Sequence, residues 1–217
     1  MTESVQAPEQ LAADSAEQQI SDQRLLKGAR ARAAIARHAA DVASVEGLNG
    51  LSLGRLAVDL GVSKSGVATL FGTKENLQLA AVQSAREVFI DHVVRPALSE
   101  PKGMPRLRAI VEHWFDYIGE PVMPGGCFRG QCVTEFDSRP GPVRDALAAD
   151  RDDWFAVLEK EIRRAQEQGF LAAHDPHTLA FQLEAVIAAA NSAARMDDTT
   201  AIPTARAIVD GLLGRSA

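Results

Sequence analysis

From Leu26 onward the apolar residues follow a helical period. Ala31, Ile35, His38, Val42 and Val45 recur at intervals of four, three, four and three, the stripe of an amphipathic helix that Gly47 ends. Ser52 is an N-cap candidate for a short helix that turns Leu53, Leu56, Ala57 and Leu60 inward, and Gly61 breaks it. Ser63 caps a second short helix with Val67, Leu70 and Phe71 on its apolar side. Thr73 then opens a long helix to about Leu98, through Leu77, Ala81, Ala85, Val88 and Phe89. The same reading predicts helices over 104–119, 127–137, 142–168 and 175–196 and from Pro203 to the C-terminal region, separated by Gly/Pro turns such as Arg139-Pro140-Gly141-Pro142. No segment alternates with period two, so no sheet is expected.

Residues 1–22 show no sustained apolar period and are rich in Gln, Ala and Ser, so residues 1–23 are expected as a disordered tail. The fold class that follows is all-α with about nine helices: a three-helix unit over 24–73, then a helical bundle over 74–217.

Charge sharpens the division. The net charge of −6 hides a basic block: residues 24–80 carry +4 between two acidic stretches of −5 each. A basic segment of that kind is suited to phosphate. No stretch approaches the roughly 18 apolar residues of a membrane span, and the N-terminus has no signal-like apolar run. Two cysteines five residues apart, Cys127 and Cys132, lie too far apart on a helix to form a disulfide. A cytoplasmic protein is expected.

Within the basic block, residues 52–71 read SLGRLAVDLGVSKSGVATLF. Ala57 permits close helix crossing, Gly61 supplies the turn and Val67 plugs the second helix into the first, with Leu56, Leu60, Val62 and Leu70 completing a small core. This joint spacing is that of a helix-turn-helix. Together with the basic first helix and the phrase GVSKSGVATLFGTKENLQLA (61–80), it resembles the TetR family of repressors. A subset of that family has a stretch similar to GGCF (125–128) followed by EFDSRPGPVRD (135–145). The resemblance implies a homodimeric transcriptional regulator that binds double-stranded operator DNA and is released by a small-molecule effector. No cofactor, metal or membrane partner is expected. At positions where the family often carries aromatic residues on its recognition helix, this chain has Ala68 and Leu70. DNA contact is therefore assigned to Lys27, Arg30, Ser52, Ser63, Lys64, Ser65, Gly66, Thr69 and Lys74, with the backbone N–H groups at the two helix starts.

Residues 179–194, LAFQLEAVIAAANSAA, are apolar around nearly the whole circumference, and the last helix adds a stripe of its own. The resemblance implies that these two helices pair with their copies, with Ala185, Ala189, Ile208 and Leu212 in the interface. Nine of the eleven aromatic residues lie between 114 and 181, which points to a small-molecule site as well as to plain core. The candidates there are His113, Trp114, Tyr117, Cys127, Phe128, Gln131, Glu135, Trp154, Gln182 and Asn191. Cys127, at a helix start, is also a candidate oxidant or electrophile sensor.

An enzyme of the di-metal bundle type is disfavoured, because none of the five histidines has Glu three residues before it. A small-molecule-binding or adaptor protein that does not bind DNA specifically remains the alternative.

Overall fold

A computed structural model describes residues 8–120 and 122–214, with side chains from Leu25 onward. Among these residues there are helices and turns and no strand. Helix α1 spans Pro8–Glu46. The expected tail at 1–23 is therefore corrected for residues 8–23, which continue α1; its first seven residues lie outside the described ones. From Pro8 to Gly28 the chain has no proline or glycine to interrupt it and is rich in Ala, Gln and Glu, all good helix formers.

A 3-10 turn (Leu48–Gly50) leads into α2 (Leu53–Asp59) and α3 (Lys64–Phe71). The capping residues read from the sequence hold the helix starts: Ser52 Oγ accepts from Arg55 N, Ser63 Oγ from Gly66 N and Thr73 Oγ1 from Asn76 N. Helix α4 (Lys74–Phe89) runs on through a π-helical stretch, Ile90–Val94, into α5 (Arg95–Ala97), so the two form one rod. Then come α6 (Met104–Gly119), α7 (Phe128–Phe136), α8 (Pro142–Glu167), α9 (Pro176–Ala194) and α10 (Ala201–Leu213). With α4 and α5 counted as one, nine helical rods are described.

Helix α1 packs along α4, and α9 packs between α8 and α10. The face α1 buries is Ile35, Ala36, Ala39, Ala40 and Ala43, with Ser44. This corrects the expected stripe, since Ala31 and Val45 are exposed and His38 and Val42 only half-buried. Alanines allow α1 to approach α4 closely, and that small-residue seam outweighs the larger side chains beside it. The helix-turn-helix core is likewise smaller than expected. Leu56, Ala57, Val67 and Phe71 are buried and Leu70 half-buried, but Leu60 and Val62 are exposed, Val62 by 45%. They flank the turn at Gly61, where the chain is at the surface.

Short α7 joins the two ends of the molecule. It lies against α1, and the loop before it meets α1 backbone to backbone. Gly125 N–H donates to Ser44 Oγ at 2.9 Å, Arg37 Nη2 donates to Val122 O at 3.2 Å, and Cys132 Sγ lies 3.6 Å from Ala43 O. A Cβ on Gly125 would stand 1.8 Å from Ser44 O. Gly125→Ala is expected to destabilise the protein by about 1–3 kcal/mol or more, as overpacking does. Gly28→Ala, on an open face of α1, is expected to stabilise it by about 0.5–1 kcal/mol. Denaturant melts of the two variants check both signs.

Candidate DNA interface and ligand cavity

The outer face of the helix-turn-helix carries Ser63, Lys64, Ser65, Gly66 and Thr69, all exposed on α3 or at its cap. The Ser52 and Ser63 hydroxyls already accept from their own helices, and Thr69 Oγ1 donates to Ser65 O at 2.8 Å. The stem of Lys64 passes over Gly54, where a Cβ would lie 3.8 Å from its Cε, so the ammonium is held at the junction of α2 and α3. Lys27 and Arg30 are exposed on α1. Lys74 Nζ, expected at phosphate, donates instead to Asn49 O at 2.6 Å. Arg32, passed over in the sequence, clamps the reader. Its Nη1 donates to Leu70 O at 2.6 Å and its guanidinium stacks 4.5 Å from the Phe71 ring centre.

Glu135 does not line a cavity. From α7 its carboxylate accepts from Leu48 N at 2.6 Å and Asn49 N at 3.1 Å. It thereby satisfies the free N–H groups at the start of the 3-10 turn, as an N-terminal acid does. Gly47 has a φ of 77° and leaves room for the carboxylate, which a Cβ there would approach to 2.6 Å. Gln78 Nε2 holds the other side of the same turn by donating to Leu48 O at 2.9 Å. The turn between the first two helices of the DNA-binding unit is thus gripped by a side chain from the bundle.

The opposite end of α7 is anchored on α9, where Asn191 Oδ1 accepts from Cys127 N at 3.1 Å. Between these anchors lies a partly open cavity of about 220 Å³. It is lined by Trp114 and Ile118 of α6, Cys127, Arg129, Gly130, Val133 and Thr134 around α7, Arg151 of α8, and Glu184, Ile187, Ala188 and Asn191 of α9. Of the sequence candidates it gathers Trp114, Cys127 and Asn191. Tyr117 and Phe128 are buried nearby in the core, His113 stands 4.0 Å from Asp116, and Gln131 and Gln182 are exposed. Trp154 borders a neighbouring cavity of about 340 Å³ with Phe89, Ile90, Val94 and Arg129.

Arg129 separates the two cavities and was missed, together with Arg151 and Glu184. The Arg129 guanidinium is 3.0 Å from Asp150 and lies over Phe89 at 4.6 Å and Trp154 at 5.6 Å. Burial works most strongly against its charge, but Asp150, Cys127 and Glu184 together outweigh burial and the pKa is raised. Burial raises the pKa of Glu184 too, with the Arg129 and Arg151 charges only partly offsetting it. Glu184 Oε2, Trp114 Nε1 and Trp154 Nε1 are buried without a hydrogen-bond partner among the described residues. Buried polar atoms usually find one, and these three lie within the region of the two cavities. One signal was available for Glu184: it is the sole charged residue in 179–194. The two tryptophans, Phe89 and Tyr117 pack edge to face, with ring centres 4.8–6.1 Å apart. Burial pushes the thiol of Cys132 up, which leaves it unreactive; Cys127 faces the cavity.

On the far side, α9 and α10 present an apolar groove of about 480 Å³ that includes Ala185, Ala189 and Ile208. Phe181 and Ile208 stand exposed beside it, while Leu212 is half-buried against the core. Among the described residues no helix is long and apolar enough to cross a membrane, and no cluster of metal-ligating side chains occurs.

No curated protein sequence matches the chain. A family model described as the tetracyclin repressor-like C-terminal domain matches residues 103–209. Among solved structures, a TetR transcriptional regulator from Chloroflexus aurantiacus superposes with a TM-score of 0.78 at 23% identity, over 88% of this chain and 97% of that one. AibR in complex with isovaleryl coenzyme A and operator DNA gives 0.68 at 22% identity, over 84% and 98%. A putative transcriptional regulator from Saccharomonospora viridis in complex with choline gives 0.74 at 19% identity, over 87% and 97%. Residues 103–209 thus match the tetracyclin repressor-like C-terminal domain, and with the helix-turn-helix before them the chain has the fold of TetR transcriptional regulators.

Proposed function

We propose that this protein is a homodimeric, cytoplasmic repressor without enzymatic activity. It binds a two-fold operator through Lys64, Ser65, Gly66 and Thr69, the N–H groups capped by Ser52 and Ser63, and Lys27 and Arg30, and it is released by a small molecule in the cavity beneath α7. The observation that carries this reading is the continuity of α7: one end is bonded to α9, its middle lines the cavity, and the other end holds the reader through Glu135. Solved structures of similar fold in complex with operator DNA and isovaleryl coenzyme A, and with choline, support both halves of it. A ligand that displaces α7 moves the two readers of a dimer relative to each other. Operator half-sites lie about one helical turn apart, so affinity falls. Lys74, bonded to Asn49, acts in this reading on the turn and not at phosphate.

Fragments of the source genome selected on the purified protein should yield a pseudo-palindromic site. Lys64→Ala is expected to lower the slope of log K against log salt by about 0.9 units per protomer. An unchanged slope and affinity remove Lys64 from the phosphate backbone.

Ile208, 47% exposed in the single chain, is expected at the two-fold interface. Ile208→Glu would bury an unpaired charge there and should give a folded monomer in sedimentation. A wild-type protein that is monomeric at micromolar concentration refutes the dimer.

Glu135→Ala removes two hydrogen bonds to a charged acceptor, each worth about 1.5–3 kcal/mol. Amide exchange at Leu48 and Asn49 should accelerate and the response of operator binding to effector should fall. Exchange that stays as slow as in the parent protein rules out the grip.

A further inference from the structure

The hydrogen-bonding groups around the α7 cavity are unbalanced. Trp114 is 2% exposed, and its Nε1 donor has no acceptor among the described residues. Arg151 lies over the Phe155 ring at 4.3 Å and forms no ion pair among the described residues. Asn191 gives its Oδ1 to Cys127 N–H, which leaves its amide N–H₂ beside Gly130. Glu184 Oε2 is a buried acceptor without a partner among the described residues. The positive charge of Arg129 faces it from α7, with Asp150 and Arg151 on α8; Cys127 is the other titratable group of the lining, and α6 contributes only Trp114 and Ile118. Burial favours the protonated form of Glu184, and a protonated carboxyl is one more donor. The remaining lining, Ile118, Val133, Ile187 and Ala188, is apolar.

We propose that this cavity binds a small organic carboxylate, its charged end held by Arg151, Trp114 and Glu184 and its apolar body against Ile118, Val133 and Ile187. This rests on the reading of the cavity as the effector site. An ammonium would suit Glu184 but leave the Trp114 N–H unpaired and would face two guanidinium groups, of which only Arg129 has an acid partner. A cavity of roughly 150 Å³ takes one benzene, so the 220 Å³ here admits about nine non-hydrogen atoms. Phenylacetate is close to that size, and phenylacetamide and phenethylamine share its shape with a neutral or a positive end.

The test is a titration of the full-length protein with each of the three compounds. Intrinsic fluorescence is the readout, because the only two tryptophans in the chain stack 4.9 Å apart beside the cavity. Phenylacetate is expected to bind saturably, and the amide and the amine at least about tenfold more weakly, a difference of roughly 1.4 kcal/mol. Free Glu184 is held protonated above the ordinary carboxylate range. Affinity should therefore be full between the ordinary carboxylate range, where phenylacetate itself takes up a proton, and the raised pKa of Glu184, and fall as pH rises through the latter by up to about tenfold per pH unit. Glu184→Gln keeps a donor at that position, so it should retain binding and abolish the fall on the alkaline side. Arg151→Ala should lose about tenfold or more, with Arg151→Lys between the two. No saturable phenylacetate response, tighter binding of phenethylamine, or loss of binding in Glu184→Gln overturns the proposal. Operator binding without any compound is measured in parallel. If it is intact while no carboxylate binds, the site falls and the regulator stands. If phenylacetate binds without weakening operator binding, the carboxylate site stands and its effector role falls.

Discussion

The structure depends on how closely the loop before α7 approaches α1. At Gly125 the two backbones meet at a distance that admits no side chain, and Ser44, Arg37 and Ala43 of α1 bond to that loop and to α7. Backbone polar groups taken out of water must find partners, and these do so across a boundary between two functional units. The DNA-binding unit therefore does not hang from the bundle by the α4 rod alone. It is fastened at a second place on α1 by α7 and its loop.

Two fastenings change how the linking helix is understood. Helix α4 leaves the reader, packs on α1 and α8, and reaches the aromatic cluster at Phe89, immediately before its π-helical stretch. Such stretches are rare and occur often at functional sites. Phe89 stacks under Arg129, and Arg129 forms the wall between the two cavities. Arg129 thus touches α4 through Phe89 and shares α7 with Glu135, which holds the 47–50 turn. The buried Arg129–Asp150 pair contributes little net stability by itself, since desolvation of both charges offsets their attraction. Its directional bonds instead fix where α7 sits against α8.

Much of this was legible in the sequence. The caps at Ser52, Ser63 and Thr73, the breaks at Gly47 and Gly61, and the prolines near helix starts are local signals, and the helices begin and end close to them. Packing between elements was less legible. The buried seam of α1 is made of alanines, which hydropathy ranks below the valines beside them, so the stripe was placed on the wrong residues. Leu60 and Val62 read as core because they are apolar, yet they sit at a turn with nothing above them. Glu135 bonds to backbone atoms 86 and 87 residues away, and no residue type at those positions marks a partner. Arg129, Arg151 and Glu184 were passed over because charged residues on helices are usually solvated. Their cavity exists only once four helices are assembled.

Glu135 takes hold of main-chain N–H groups. Every residue except proline has such a group, so the joint places no demand on the side chains of Leu48 and Asn49 and constrains only Gly47, where a Cβ would collide. The reader can then change its surface residues, and with them the DNA sequence it prefers, while the fastening stays as it is. In such a design operator preference and effector response vary independently, and a new pairing of signal and gene requires no new mechanical connection.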